Sequence, residues 1–300
     1  MSRPNLPLIT LRRGPWQAEL YDPRPAPALL GARFVQGGWV CSLRRDGREL
    51  TGAADRTWFD YDGIGLPETF ESGLGYDQVG TGEEFLRPGC GRLIKGVGET
   101  GEKHALGRLS TVLDWEIQTG EDHAIFTTTD LLKHGLSGAR IGYRLERTVR
   151  LLDDGLVSSS VLHFEAPDHL TLPITWYAHP FFAQKRFDET AFALPSTAVR
   201  LEKPPGWRGM VRPSVGQDAD GRWRFECNGG RAIFAGVWGS REPIVVHLAG
   251  GGQMRIDLGF PLDHIVMWGS DHGASVEPKW ARTCSHGERT GWDISYRWVY

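Results

Sequence analysis

Long apolar runs are missing from this 300-residue sequence. None approaches the roughly 20 residues that a helix needs to cross a bilayer. The opening stretch, MSRPNLPLITLRRGPW, has no apolar core of secretion-signal length and places its arginines after the short apolar run. A cytoplasmic location is therefore expected, with no membrane partner. Cysteine is sparse: Cys41, Cys90, Cys227 and Cys284 are scattered, and no C-x-x-C pair occurs. That spacing excludes zinc ribbons and thioredoxin-like chemistry and fits a reducing compartment, although two incidental disulfides stay open. An excess of either charge is also absent, with 34 Lys+Arg against 37 Asp+Glu and a net charge of −3. Nothing electrostatic then favours nucleic acid or an acidic membrane as partner. The preference for Arg over Lys reads as base composition of the genome.

Sustained helical periodicity, internal repeats, low-complexity tracts and linker-like stretches are missing too. No glycine-rich loop has the strand-to-helix context of a phosphate site, and Gly250-Gly251-Gly252 reads as a turn. His264, His272 and His286 lie in one part of the chain but lack the i, i+2 or i, i+4 pairing of metal ligands, so they read as loop histidines and no metal site is expected.

What the sequence does have is turn chemistry. It contains 39 glycines and 18 prolines, and between them run short segments with strand character. Trp39–Leu43 enters a hairpin at Asp46-Gly47. Tyr143–Leu152 and Leu156–Phe164 flank Asp153-Asp154-Gly155, and the second arm alternates between Val157, Ser159, Val161, His163 and Ser158, Ser160, Leu162, Phe164. Further strands are expected at Arg222–Cys227, Met254–Leu258 and His264–Trp268. The fold class is all-β, a large antiparallel β-sandwich forming one domain over residues 1–300. The segment from Asp60 to Gly101 is glycine-rich and poor in alternation, and reads as long loops over a sheet end.

Two segments carry candidate chemistry. In Thr175-Trp176-Tyr177-Ala178-His179-Pro180-Phe181-Phe182, a histidine ends an apolar strand at the rim of an aromatic group, where imidazole can donate or accept a proton near neutrality. The plain alternative is a core histidine with a satisfied hydrogen bond. In Ser275-Val276-Glu277-Pro278-Lys279-Trp280, a carboxylate ends an apolar strand, and partial desolvation there makes a better base. The plain alternative is a salt bridge with Lys279.

Taken together and in this order, the two segments resemble the aldose 1-epimerase (galactose mutarotase-like) superfamily. Its acid histidine lies in an H-x-[YF]-F motif and its base glutamate in a late E-P motif, matching His179-Pro180-Phe181-Phe182 and Glu277-Pro278. Ser285–Trp292 is similar to the family's closing P-G-E turn, without its proline. His104-Ala105-Leu106-Gly107-Arg108, with Trp115 after it, is similar in His-to-Arg spacing to the H-G-F-A-R…W element of the hexose-6-phosphate epimerase branch. Asp62–Phe70 resembles that branch's G-x-P-x-x-F loop, and Gly91-Arg92-Leu93-Ile94 the G-R-x-x-N-R-I loop of galactose mutarotases, without the Asn.

The resemblance implies a mutarotase-like supersandwich and an isomerase that exchanges the anomers of a free sugar. Glu277 would act as base and His179 as acid, with His104 orienting the substrate and no cofactor, since only protons move. Phe182, Trp268 and Trp176 are expected near the sugar. Arg92, Lys95 and Arg108, if they converge, would read a phosphate or carboxylate on it; otherwise they are surface charge. A non-catalytic carbohydrate-binding protein and a sugar epimerase or lyase on the same sandwich are the competing readings.

Overall fold

The computed structural model describes residues 6–27, 29, 31–53, 63–71, 73–96, 108–133, 140–167, 169–183, 190–201, 215–225, 230–269 and 273–299. Among these, regular structure is strand apart from one 3₁₀ turn at Tyr76–Gln78. None of their helices is long and apolar enough to cross a membrane.

Two large antiparallel sheets dominate. In order across the first lie Val215–Gln217, Trp223–Phe225, Ala191–Ala193, Ile244–His247, Gln253–Leu258, Arg289–Val299, Gly155–Glu165, Arg140–Leu152, His123–Lys133 and Glu116–Thr119. Across the second lie Val199–Arg200, Gly230–Ala235, His264–Gly269, Gly273–Ser285, Thr171–Ala178 and Glu68–Phe70, with Phe181–Ala183 also paired to Gly273–Ser285. A four-stranded sheet (Leu8–Arg13, Trp16–Tyr21, Val40–Arg45, Arg48–Glu49) and a three-stranded one (Glu84–Arg87, Gly91–Ile94, Arg108–Thr111) flank them.

The turn chemistry behaves as expected. Asp46 and Gly47 take φ 50° and 76°, the double positive φ of a tight hairpin. Arg140–Leu152 pairs with the whole of Gly155–Glu165, from Gly142↔Glu165 to Leu152↔Gly155. In the second arm Ser158, Ser160, Leu162 and Phe164 are buried, while the alternate residues are half-exposed. Gln253–Leu258 and His264–Gly269 belong to different sheets, so Gly259–Asp263 carries the chain across the sandwich. The stretch from Asp60 to Gly101 departs from the loop expectation. Its described part holds the strands Glu68–Phe70, Glu84–Arg87 and Gly91–Ile94, each too short for alternation to register in sequence.

Aromatic contacts join the inner faces of the two large sheets. Trp292 meets Trp280, Trp176 and Phe70 at centroid distances of 5.1, 5.6 and 5.9 Å, and Phe182 meets Phe192 at 6.3 Å. An ion pair crosses the same interior. Arg147 Nη2 lies 2.6 Å from Glu68 Oε1, Ser158 Oγ bonds both groups, and Arg147 Nη1 donates to the Gly37 carbonyl at 2.9 Å. Both charged side chains are buried. Such a pair contributes little net stability when intact, but removing one partner strands the other charge. Arg147→Met should therefore lower unfolding free energy in urea by about 3–5 kcal/mol, and Glu68→Leu/Arg147→Met should recover most of that loss. A single variant as stable as the parent would mean that the pair is not a buried charge couple.

Candidate active site

The second sheet builds the site through strand register. Thr171–Tyr177 pairs with Ser285–Lys279, and Phe181–Ala183 pairs with Ser275–Gly273 in the same register. Between these ladders, His179 falls opposite Glu277. Pro180 and Pro278 occupy the gap, where a residue without an N–H interrupts pairing at no cost to the ladder. Directly opposed side chains on antiparallel strands are neighbours. His179 Nε2 accordingly lies 3.1 Å from Glu277 Oε1. Ser275, two residues before Glu277 and on the same face, places Oγ 3.0 Å from His179 Nδ1. The ring is 2% exposed and Glu277 4%.

A second segment holds the His-Pro-Phe backbone. The N–H of His179 donates to the Pro67 carbonyl at 2.8 Å, and that of Phe181 to the Gly65 carbonyl at 2.7 Å. Gly65 has φ +69°, and a Cβ there would sit 2.0 Å from the Val40 carbonyl oxygen. Only glycine passes that close to a neighbouring strand. The loop singled out in the sequence as G-x-P-x-x-F thus cradles the histidine with its backbone.

Alternation decides which aromatics reach the pair. Tyr177, His179 and Phe181 share a face, whereas Trp176 and Phe182 point into the sandwich core. Phe181 stacks on the His179 ring at 4.5 Å and 22°. Phe34 meets that ring edge-on at 5.7 Å, and Trp268, half-buried, approaches it at 6.2 Å and Phe181 at 5.9 Å. Trp268 therefore lies beside the pair. Phe182 does not: it packs on Phe192.

Lys279 continues the Ser275–Glu277 row. Its ammonium is 3.1 Å from Glu71 Oε1 and 4.2 Å from the Tyr177 ring centroid. Burial penalises that charge, but Tyr177, Glu71 and Glu277 outweigh it and hold its pKa above the ordinary lysine value. The Tyr177 hydroxyl is pushed up by burial, with Lys279 pulling the other way. The salt bridge considered for Glu277 and Lys279 is made instead between Lys279 and Glu71.

Of the candidate anion-reading residues, Arg92 and Arg108 lie on the three-stranded flanking sheet and Lys95 follows its middle strand. Arg92 donates to Asp130 at 2.7 and 3.0 Å and to the Leu131 carbonyl, and Asp130 holds its pKa above the ordinary value. Lys95 bonds the Tyr76 and Val79 carbonyls, both at 2.9 Å, and caps the Tyr76 ring. Arg108 is exposed and sits opposite Ile94. His104 lies outside the described residues. Among the histidines set aside as loop residues, His264 begins a strand, with Nδ1 2.7 Å from Asp263, and His286 accepts from the Ala166 N–H. Among the described residues no group of three or more His, Cys, Asp or Glu converges as a metal site would.

Sequence reasoning did not single out Ser275, Phe181, Phe34 or Tyr177 as site residues. The signal for three of them was period two: Ser275 shares the parity of Glu277, and Tyr177 and Phe181 that of His179. Phe34 comes from a distant segment and has no such signal.

No model of a known protein family matches the sequence, and no curated protein does. Solved structures do match over nearly the whole chain. A candidate aldose 1-epimerase from Escherichia coli K12 is 15% identical, with 99% of this chain and 100% of that one covered and a TM-score of 0.64. A galactose mutarotase-like protein from Lactobacillus casei is 17% identical, with 98% and 100% covered and a TM-score of 0.63. A GalM/aldose epimerase homologue from Caenorhabditis elegans is 10% identical, with 98% and 99% covered and a TM-score of 0.60. The chain has the β-sandwich fold of the galactose mutarotase-like proteins.

Proposed function

We propose that the protein is an aldose 1-epimerase-like isomerase that exchanges the anomers of a free sugar. The observation that carries this reading is the cross-strand contact of His179 Nε2 with Glu277 Oε1 at 3.1 Å. In a cyclic hemiacetal, the hydroxyl and the ring oxygen sit on one carbon. An acid and a base serving both oxygens must therefore be neighbours, as these two groups are. Proteins sharing the fold are described as aldose 1-epimerase or mutarotase-like, which supports the same class.

Glu277 as carboxylate takes the proton from the anomeric hydroxyl. The electron pair of that O–H bond forms the carbonyl, and the carbon–ring-oxygen bond breaks with its pair moving to the ring oxygen. His179, protonated, delivers its Nε2 proton there. Rotation about the bond to the carbonyl carbon presents the other face, and reclosure returns both protons. Nothing but protons is transferred, so the step requires no cofactor. Trp268, at the edge of the pair, offers an aromatic face for the sugar's C–H surface.

A lyase on this sandwich is favoured by one observation, Tyr177 beside the pair, its ring centroid 6.2 Å from that of His179. Burial disfavours its phenolate, so little of it is present to act as a base. NMR of candidate sugars separates the readings: exchange cross-peaks between anomers indicate the isomerase, and new vinylic protons a lyase.

Glu277→Gln keeps the side chain's shape but removes the acceptor, so anomer exchange should fall by about 10²–10⁴-fold while the melting temperature stays near that of the parent. Near-normal exchange on the best substrate would remove Glu277 from the mechanism. Rate against pH should be bell-shaped, falling at low pH as Glu277 gains a proton and at high pH as His179 loses one. His179→Asn should abolish the alkaline limb and leave a slow rate that rises with added buffer acid. An unchanged profile in that variant, with loss of rate in His104→Asn, would transfer the acid role to His104.

A further inference from the structure

We propose that Ser275 is a positioning residue that fixes the orientation and proton placement of His179. This rests on the acid role given to His179 above. Three features point to it. Strand register puts Ser275 on the face of Glu277 and diagonal to His179, so one strand supplies the partners of both ring nitrogens. The geometry is a hydrogen bond, with Oγ 3.0 Å from Nδ1. Ser275 is 0% exposed, and a buried hydroxyl requires a hydrogen-bond partner.

The hydroxyl suits that place because it both donates and accepts. With the carboxylate at Nε2, that nitrogen carries a proton. If the resting ring, with its proton on Nε2, is neutral, Nδ1 is bare and the Ser275 O–H donates to it. If the ring is charged, Nδ1 carries a proton and Oγ accepts it. When Nε2 gives its proton to the sugar's ring oxygen, Nδ1 keeps its own and goes on donating to Oγ. The exchanging nitrogen is then always the one that faces Glu277. A carboxylate in the position of Ser275 would lock the ring in its charged form, and an apolar group would leave Nδ1 unsatisfied in both forms. The same bond holds the ring flat against Phe181. The other titratable or charged groups around the ring are Glu277, Lys279, Tyr177, Glu71 and Arg33. Of these, Glu277 faces Nε2, while Nδ1 faces Ser275.

Ser275→Ala should remove the acceptor for the charged ring and so lower the pH at which His179 loses its proton by about one unit, equivalent to a tenfold change. In ¹⁵N NMR of ring-labelled protein, His179 should change from one dominant tautomer to a mixture. Exchange turnover should fall by about 10-fold with KM altered less than about twofold, since an unpaired buried polar atom costs that order. The alkaline limb should move to lower pH by the same unit. Ser275→Thr, which keeps the hydroxyl, should retain the parent's ring signals and midpoint. If Ser275→Ala does not fold, Ser275→Cys, close in size but a weak hydrogen-bonding partner, takes its place in every measurement. Ring ¹⁵N shifts and a midpoint unchanged from the parent in Ser275→Ala or Ser275→Cys would overturn the proposal. Altered ring signals in a protein that exchanges no sugar's anomers would uphold the role of Ser275 toward His179 and sink the isomerase reading alone.

Discussion

The site depends on a single constraint, the uninterrupted register between the chain running through Thr171–Ala183 and the strand Gly273–Ser285. Because the register is the same on both sides of the His-Pro gap, His179 and Glu277 become direct cross-strand neighbours although they lie 98 positions apart in sequence. A slip of one residue in either segment would turn one of the two side chains into the sandwich core. The prolines that follow each of them remove N–H groups at the point where the ladder opens, so the gap costs little hydrogen bonding. Neighbouring pairs in the same register, Tyr177 with Lys279 and Phe181 with Ser275, supply the rest of the immediate surroundings.

The two faces of that sheet divide the work. The inward face carries Trp176, Phe182 and Trp280 against the first sheet, where burial of large aromatic surfaces is the main favourable term of folding. The outward face carries the titratable groups, and Phe34, Trp39 and Ile64 cover it from other segments. Glu68–Phe70 ties the faces together. Glu68 turns inward to Arg147 in the opposite sheet, Thr69 bonds the Arg33 carbonyl, and the preceding Gly65 and Pro67 hold the backbone at His179 and Phe181. The buried ion pair therefore anchors the segment on which the histidine rests. Arg87 shares this region, donating to the Phe70 carbonyl, and its burial lowers its pKa from the usual arginine value.

The proposed proton transfer, in a place this enclosed, requires that every polar atom have a partner whose bond survives it. A carboxylate on one ring nitrogen and a hydroxyl on the other meet that condition. The hydroxyl can reverse its role, whereas the carboxylate can only accept until it is itself protonated. Lys279, held by Glu71 and over Tyr177, adds a fixed positive charge near Glu277 that favours the carboxylate form.

Local sequence determined the all-β class and the hairpins at Asp46-Gly47 and at Asp153-Asp154, and the resemblance of two short motifs put His179 and Glu277 forward as candidates. The class and the hairpins follow from turn residues and period-two alternation, which are short-range properties. It also contained the parity that places Ser275 with Glu277 and Phe181 with His179. Tertiary structure decided which parity faces outward, and so exchanged Phe182 and Trp176 for Phe181 and Tyr177 at the ring. It decided that Arg92 is held by Asp130 and Lys95 by two carbonyls, because the identity of a charge's partner depends on strands that only the folded sheet brings together. The short strands at Glu68–Phe70, Glu84–Arg87 and Gly91–Ile94 had too few residues to declare a period, and long-range pairing alone makes them strands. The contact between His179 and Glu277 is of this second kind: each residue is legible in its own segment, but their register is a property of two strands aligned by a common core.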